Sequence, residues 1–260
     1  MREGAGEGIS SGVTPDSPFP KSASGNPCPR QELDSAGRCR PEAREREGSD
    51  KRLAAEAALG EVRDGMLVGL GTGSTVAFLI AALARDRPRI ECVATSIASA
   101  AAARAGGLIV RDFADVARVD LTIDGADEID ARLFAIKGAG GAMLREKVVA
   151  AASDRMVVIA DGSKRVGAIG RAKVPVEVLP FARAFVAGRL TALGAAVAVR
   201  EGVTDNGNFI VDARFAAMPD PRALAMAIDA IPGALGHGLF LDEVDAAYVA
   251  DGGVVTRLGR

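Results

Sequence analysis

Apolar and polar positions change rhythm along the 260-residue chain, and each change marks a different kind of segment. Residues 1–49 are rich in Gly, Pro, Ser, Arg and Glu and carry no sustained apolar period. Such a segment cannot bury enough apolar surface to offset its ordering entropy, so a disordered N-terminal extension is expected. It has no apolar h-region, and its acidic residues argue against a transit peptide.

From Asp50 the pattern becomes regular. Asp50 is placed to cap a helix over residues 51–59, and MLVGLG (66–71) reads as a buried strand. Helical periodicity follows over 74–84, a strand over 90–95, and an Ala-rich helix over 96–105. Strands at 108–113 and 121–124, a helix over 142–153 and a strand at 156–161 continue the alternation. Continuous apolar strands separated by helices predict an α/β fold, a Rossmann-like parallel sheet covered by helices on both faces. Ligands of such sheets gather at the carboxyl ends of the strands.

After about residue 170 the order changes again. A strand at 176–180 and a helix at 181–193 come next, and strands at 195–200 and 209–214 then flank TDNGN, whose Asn206-Gly207 is a hairpin signal. A helix at 221–230 and a strand near Leu239 complete a β-α-β-β-α-β unit, the order of a smaller ferredoxin-like α+β domain. Residues 246–260 read as two strands parted by Asp251-Gly252 that rejoin the main sheet. The expected partition is an extension at 1–49, a Rossmann-like catalytic domain at 50–171 with 246–260, and a small domain at 172–245.

Composition narrows the function classes. With only 4% aromatic residues, aliphatic side chains must fill the core. A net charge of −2 with no basic block argues against nucleic acid and leaves room for an anionic small molecule. Cys28, Cys39 and Cys92 show no metal-ligand spacing, and a reducing cytoplasm is the expected setting. The apolar run at 78–84 is too short to span a bilayer, so no membrane partner is expected.

Four motifs carry candidate chemistry. GLGTGST (69–75) joins a strand to a helix, where glycines admit close backbone approach and helix amides favour an anion. Thr72, Gly73, Ser74 and Thr75 are its candidate phosphate ligands; the competing reading is a tight strand-to-helix turn. The spacing is not G-x-G-x-x-G, no acid follows the next strand for a ribose diol, and no P-loop lysine is present. DGADEID places Asp124, Asp127, Glu128 and Asp130 after a buried strand, where clustered carboxylates raise one another's pKa. A solvated acidic turn and a weak divalent-cation site compete with that reading. In KGAGGAMLREK, Lys137 precedes the glycine loop Gly138, Ala139, Gly140 and Gly141, and Glu146 falls about one turn inside the next helix. A surface acid is the bland reading of Glu146; a base beside an oxyanion site is the functional one. In DGSKRVG, Lys164 follows a strand end, either as a surface cation or as a phosphate partner. His237, alone in the small domain, is assigned a structural role.

Together GLGTGST, DGADEID, IKGAGGAMLREK, DGSK, PVEVLPFA and TDNGN resemble the ribose-5-phosphate isomerase A family from about Lys51 to the C-terminus. The resemblance implies interconversion of ribose 5-phosphate and ribulose 5-phosphate with no cofactor and no metal. It also implies that Glu146 moves the proton between C2 and C1, that Asp124 opens the sugar ring, and that Asp127 orients hydroxyls. Lys137 and the amides of residues 138–141 would hold the enediolate, with Thr72, Gly73, Ser74 and Thr75 lining the site. Lys164 and Lys51 would lie near the phosphate, Thr95 and Ser96 fall in a family loop, and a homodimer or homotetramer is implied. A non-catalytic sugar-phosphate sensor, an NAD-dependent oxidoreductase and a metal-dependent hydrolase are the rival functions. A sensor would need a DNA-binding helix-turn-helix, which residues 1–50 do not supply, and could dispense with Glu146.

Overall fold

The structure, a computed structural model, describes residues 41–260; residues 1–40, with Cys28 and Cys39, lie outside the described residues. In chain order the first half holds α1 (Pro41–Ala58), β1 (Leu67–Leu70), α2 (Ser74–Asp86), β2 (Glu91–Ala94), α3 (Ile97–Ala105), β3 (Ile109–Val110), β4 (Leu121–Gly125), β5 (Glu128–Ile129), β6 (Ala135–Ile136) and α4 (Met143–Ala151). The second half holds β7 (Met156–Asp161), β8 (Val174–Val178), α5 (Arg183–Ala192), β9 (Ala195–Val199), β10 (Phe209–Phe215), α6 (Pro221–Asp229), β11 (Ala234–His237), β12 (Leu239–Phe240), β13 (Ala246–Asp251) and β14 (Val254–Gly259).

The main sheet runs β14-β13-β7-β4-β1-β2-β3 and is parallel except for β14, which turns back along β13. The chain moves outward from β1 to β3, then returns to place β4 on the other side of β1. That reversal opens a crevice between the carboxyl ends of β1 and β4, where ligands of such sheets bind. Alternate strand residues pack on opposite faces. Val157 and Ile159 join Val68, Leu70, Leu79 and the small residues of α1 on one face. Met156 and Val158 pack with Ala150 of α4, Ile129 and Phe240 on the other. Cys92 is buried in the first of these cores, and burial pushes its thiol up to about 12. No helix among the described residues is long and apolar enough to cross a membrane.

Three expectations change here. The first helix does not start at Lys51: α1 begins at Pro41, so the reading of residues 41–49 as disordered is corrected. Those residues lack an apolar face, but proline suits a first helical turn, and Arg and Glu propagate a helix once one end is anchored. The anchor is the half that buries Ala54, Ala55 and Ala58. Asp50 is therefore no helix cap. It is buried mid-helix and accepts the amides of Gly252 and Gly253 at 3.0 and 2.9 Å, bracing the β13–β14 turn. The second change is β5 and β6, short strands inside a segment expected to be a turn.

The third change concerns the smaller, antiparallel sheet, ordered β11-β8-β10-β9. Its last strand is β11, whereas Leu239 leaves for β12, which pairs with β6 in a separate three-stranded sheet. Gly238 makes the crossing, donating to Pro175 O and accepting from Lys137 N, both at 2.8 Å. A Cβ there would meet Lys137 O at 2.1 Å, so only glycine fits. The smaller sheet is thereby tied to the backbone of Lys137.

Candidate active site

The site assembles where the loops after β1 and β4 meet. Gly71 N donates to Ile123 O at 3.0 Å, and Thr72 N donates to Asp124 Oδ1 at 3.1 Å. A Cβ on Gly71 would lie 1.9 Å from Asp124 Oδ1, so this glycine is what lets the carboxylate pass. Gly73, at φ 116°, precedes Ser74 and Thr75 in the first turn of α2, whose leading amides face the same end of the sheet. Thr95 shares a hydrogen bond with Thr72 (2.9 Å), and Ser99, bonded to Ser96, donates to Gly71 O at 2.7 Å. The Ser/Thr loop after β2 thus buttresses the glycine turn from behind.

At the centre, Lys137 Nζ lies 2.8 Å from Asp124 Oδ2 and 3.1 Å from Glu146 Oε2. All three side chains are almost fully buried. The ammonium aligns its hydrogen bond on Gly125 O, and neither of those two carboxylate oxygens receives an aligned donor. Two buried acids therefore share one cation mainly through charge. Burial first, and then the charge of Asp124, push Glu146 up to about 8, with Lys137 offsetting only part of the rise. Burial opposes the charged form of Lys137, yet the two carboxylates outweigh it and hold the ammonium protonated.

Asp127 accepts the Ala139 amide at 2.8 Å. Burial raises its pKa, while that amide and the charges of Lys137, Lys164 and Arg200 pull it down. Lys164, in the turn after β7, is thereby within electrostatic reach of the cluster. Lys51 is not joined to it: its Nζ pairs with Glu47 at 2.5 Å, and only its neighbour Asp50 reaches the turn beyond β13.

Glycine-loop geometry narrows one expectation. Gly141 N closes a turn onto Gly138 O at 3.0 Å and Ala139 N is held by Asp127, so these two amides are already engaged. The Gly138 and Gly140 amides have no partner among the described residues. Of the expected acidic cluster, two members turn away. Glu128 accepts the amides of Gly170, Arg171 and Ala172, and Asp130 caps Arg132 and Phe134. This dispersal weakens a divalent-cation reading, because committed carboxylates are poor ligands. His237 is buried, accepts Leu239 N at 3.1 Å and has a pKa lowered chiefly by burial, in keeping with a structural role.

Groups outside the sequence motifs also converge here. Arg200, just beyond β9, donates to Gly138 O and Ala139 O, both at 3.0 Å, and pairs with Asp212 of β10. The one available signal was Asp212, an acid inside the apolar run FIVDARF. The TDNGN hairpin is organised by buried Glu177, which accepts from Thr204, Asn206 and Asn208. It then grips the main sheet's helices: Asp205 caps Ile97 N at 2.7 Å, and Arg145, next to Glu146, holds Asn206 at 2.7 Å.

Residues 91–253 match the family described as ribose 5-phosphate isomerase A (phosphoriboisomerase A). A ribose-5-phosphate isomerase A of Sphingopyxis alaskensis is 52% identical over 215 residues, covering 80% of this chain and 94% of that protein. The crystal structure of ribose 5 phosphate isomerase A from Neisseria gonorrhoeae is similar with a TM-score of 0.80 and 36% identity, covering 82% of this chain and 97% of that one. A D-ribose-5-phosphate isomerase solved in complex with phospho-erythronic acid is similar with a TM-score of 0.78 and 34% identity, covering 81% of this chain and 97% of that one.

Proposed function

The chain belongs to the ribose 5-phosphate isomerase A family, and on that premise we propose that it interconverts ribose 5-phosphate and ribulose 5-phosphate through an enediolate, with Glu146 as the base. It is an aldose–ketose isomerase. The observation that carries the mechanism is the buried triad Asp124–Lys137–Glu146, two acids on one ammonium. A carboxylate raised toward neutral pH is a stronger base once ionised, and the adjacent ammonium stabilises the oxyanion that its action creates.

In the proposed sequence Asp124 takes the proton of the anomeric hydroxyl while the ring oxygen is protonated on leaving, which frees the C1 aldehyde. Glu146 removes the C2 proton, and the negative charge collects on O1 beside Lys137 and the free amides of Gly138 and Gly140. Return of the proton to C1, with the O2 hydroxyl proton passing to O1, completes the ketose. Asp127 orients the sugar hydroxyls. Thr72, Gly73, Ser74, Thr75 and Lys164 bind the phosphate, whose remote binding energy positions C1 and C2. Lys51 is assigned to the same clamp, a role that requires its ammonium to leave Glu47 when substrate binds. We assign residues 50–171 with 246–260 to a catalytic domain and 172–245 to a ferredoxin-like one. A cytoplasmic homodimer or homotetramer completes the reading.

Incubating ribose 5-phosphate with the protein in D₂O and following the product by NMR tests it. The expected result is ribulose 5-phosphate with deuterium entering at C1, and loss of turnover by roughly 10³-fold or more in Glu146→Gln with substrate still bound. Near-normal turnover in that variant would remove Glu146 as the base.

A further inference from the structure

Arg200 lies just beyond β9 of the smaller sheet and hydrogen-bonds to the reaction's groups only through backbone carbonyls, although its charge also helps to lower the pKa of Asp127. Its guanidinium Nη1 is 3.0 Å from both Gly138 O and Ala139 O. Every peptide among the described residues is trans, so the C=O and N–H of one peptide unit point in opposite directions. Holding Gly138 O therefore aims the Ala139 N–H the other way, where it meets Asp127 Oδ2 at 2.8 Å. Holding Ala139 O likewise aims the Gly140 N–H away from Arg200. Gly140 is exposed, and the nearest atom to a Cβ built there is Thr72 Cγ2 of the facing glycine turn, at 3.7 Å. That N–H has no protein partner among the described residues.

We propose that Arg200 is a positioning residue for the oxyanion site: from behind the loop it orients the Ala139 amide onto Asp127 and the Gly140 amide onto the reacting oxygen. The inference rests on the isomerase reading above and adds to it a residue outside the motifs that suggested that reading. Arg200 is itself fixed in place. Asp212 receives its Nη2 at 2.5 Å and its Nε at 3.1 Å, Lys173 approaches the same carboxylate at 2.6 Å, and Arg200 N donates to Ile210 O at 2.9 Å. A planar fork of five donors can serve two carbonyls and a carboxylate at once; a lysine ammonium cannot reproduce that arrangement.

The test compares wild type, Arg200→Lys and Arg200→Gln in turnover, in KM for ribose 5-phosphate, and in binding of two probes. Phospho-erythronic acid carries a planar carboxylate resembling the enediolate oxygens, and inorganic phosphate reports the phosphate clamp alone. Expected is a fall in kcat of about 10- to 100-fold in both variants, below the loss from deleting an oxyanion donor outright. KM should stay within about threefold, phospho-erythronic acid should weaken in step with kcat/KM, and phosphate affinity should be unchanged. Amide exchange at Ala139, whose N–H is held by Asp127, should quicken while exchange at Val157 in the core is unaltered. A folded variant with kcat within about twofold of wild type, or one that loses both probes equally, overturns the proposal. If Arg200→Gln does not fold, Arg200→Lys, which keeps the charge beside Asp212, decides by the same ratios. Absence of turnover in wild type would instead sink the isomerase reading, so the two failures are distinguishable.

Discussion

Glu146 and Asp212 are both buried carboxylates coupled to the 138–141 loop, one through Lys137 and the other through Arg200, and burial raises the pKa of each. They end on opposite sides of the ordinary value. Around Asp212, Arg200 and Lys173 both donate to a single acid and hold its pKa down against desolvation. Around Lys137, one ammonium is divided between Asp124 and Glu146, and Glu146 rises to about 8. Burial raises both carboxylates, and more so the fully enclosed Glu146; the ratio of acids to cations around each then decides how much of that rise is offset. Two cations per acid give a fixed brace, and two acids per cation give a group poised to exchange a proton.

Removing the shared cation is the strongest way to break this contrast. Lys137→Met should lower kcat by on the order of 10³-fold, because it deletes the oxyanion partner and leaves two uncompensated carboxylates. It should also move the acid limb of the kcat/KM profile above about 8, since Lys137 is what pulls Glu146 down. A normal rate, or an unmoved limb, would separate Lys137 from both roles.

A smaller effect concerns stability. Glu146 has a folded pKa above its unfolded value of 4.5, so between pH 4.5 and about 8 the folded state binds more protons than the unfolded one. Stability from this group therefore falls as pH rises through that window. Glu146→Gln carries no such proton, and its stability relative to wild type should improve from pH 5 to pH 8.5 by on the order of a few kcal/mol. Denaturant melts at the two pH values check this, and a constant difference would show that Glu146 ionises freely. Asp212, whose pKa is lowered by Arg200 and Lys173, should give a flat difference over this range, because its contribution is fully present above pH 3.8 and is lost only as the pH falls below that value.

How much of this was legible in the sequence follows from what each part depends on. The parallel sheet was readable because strands such as MVVIAD are apolar at every position before the terminal Asp161, as a strand covered on both faces must be. Asp124, Lys137 and Glu146 were readable because each lies beside a glycine turn that ends a buried strand or opens a helix. The start of α1 was not, since residues 41–49 are helical by propensity and attachment rather than by apolar period. Nor were the partners of Glu128 and Asp130, which differ from Asp127 only in which way β5 turns their carboxylates. Arg200 was hidden for a different reason: it reaches the loop from 62 residues away, a pairing no local pattern encodes.

The central claim, that a buried acid sharing its cation is the base, is tested most directly by the pH dependence of kcat/KM for the wild-type protein on ribose 5-phosphate between pH 5 and 10. The account predicts an acid limb rising about tenfold per pH unit and levelling near pH 8, the value to which Glu146 is pushed. A profile already flat from pH 5, as an ordinary exposed glutamate would give, would contradict it.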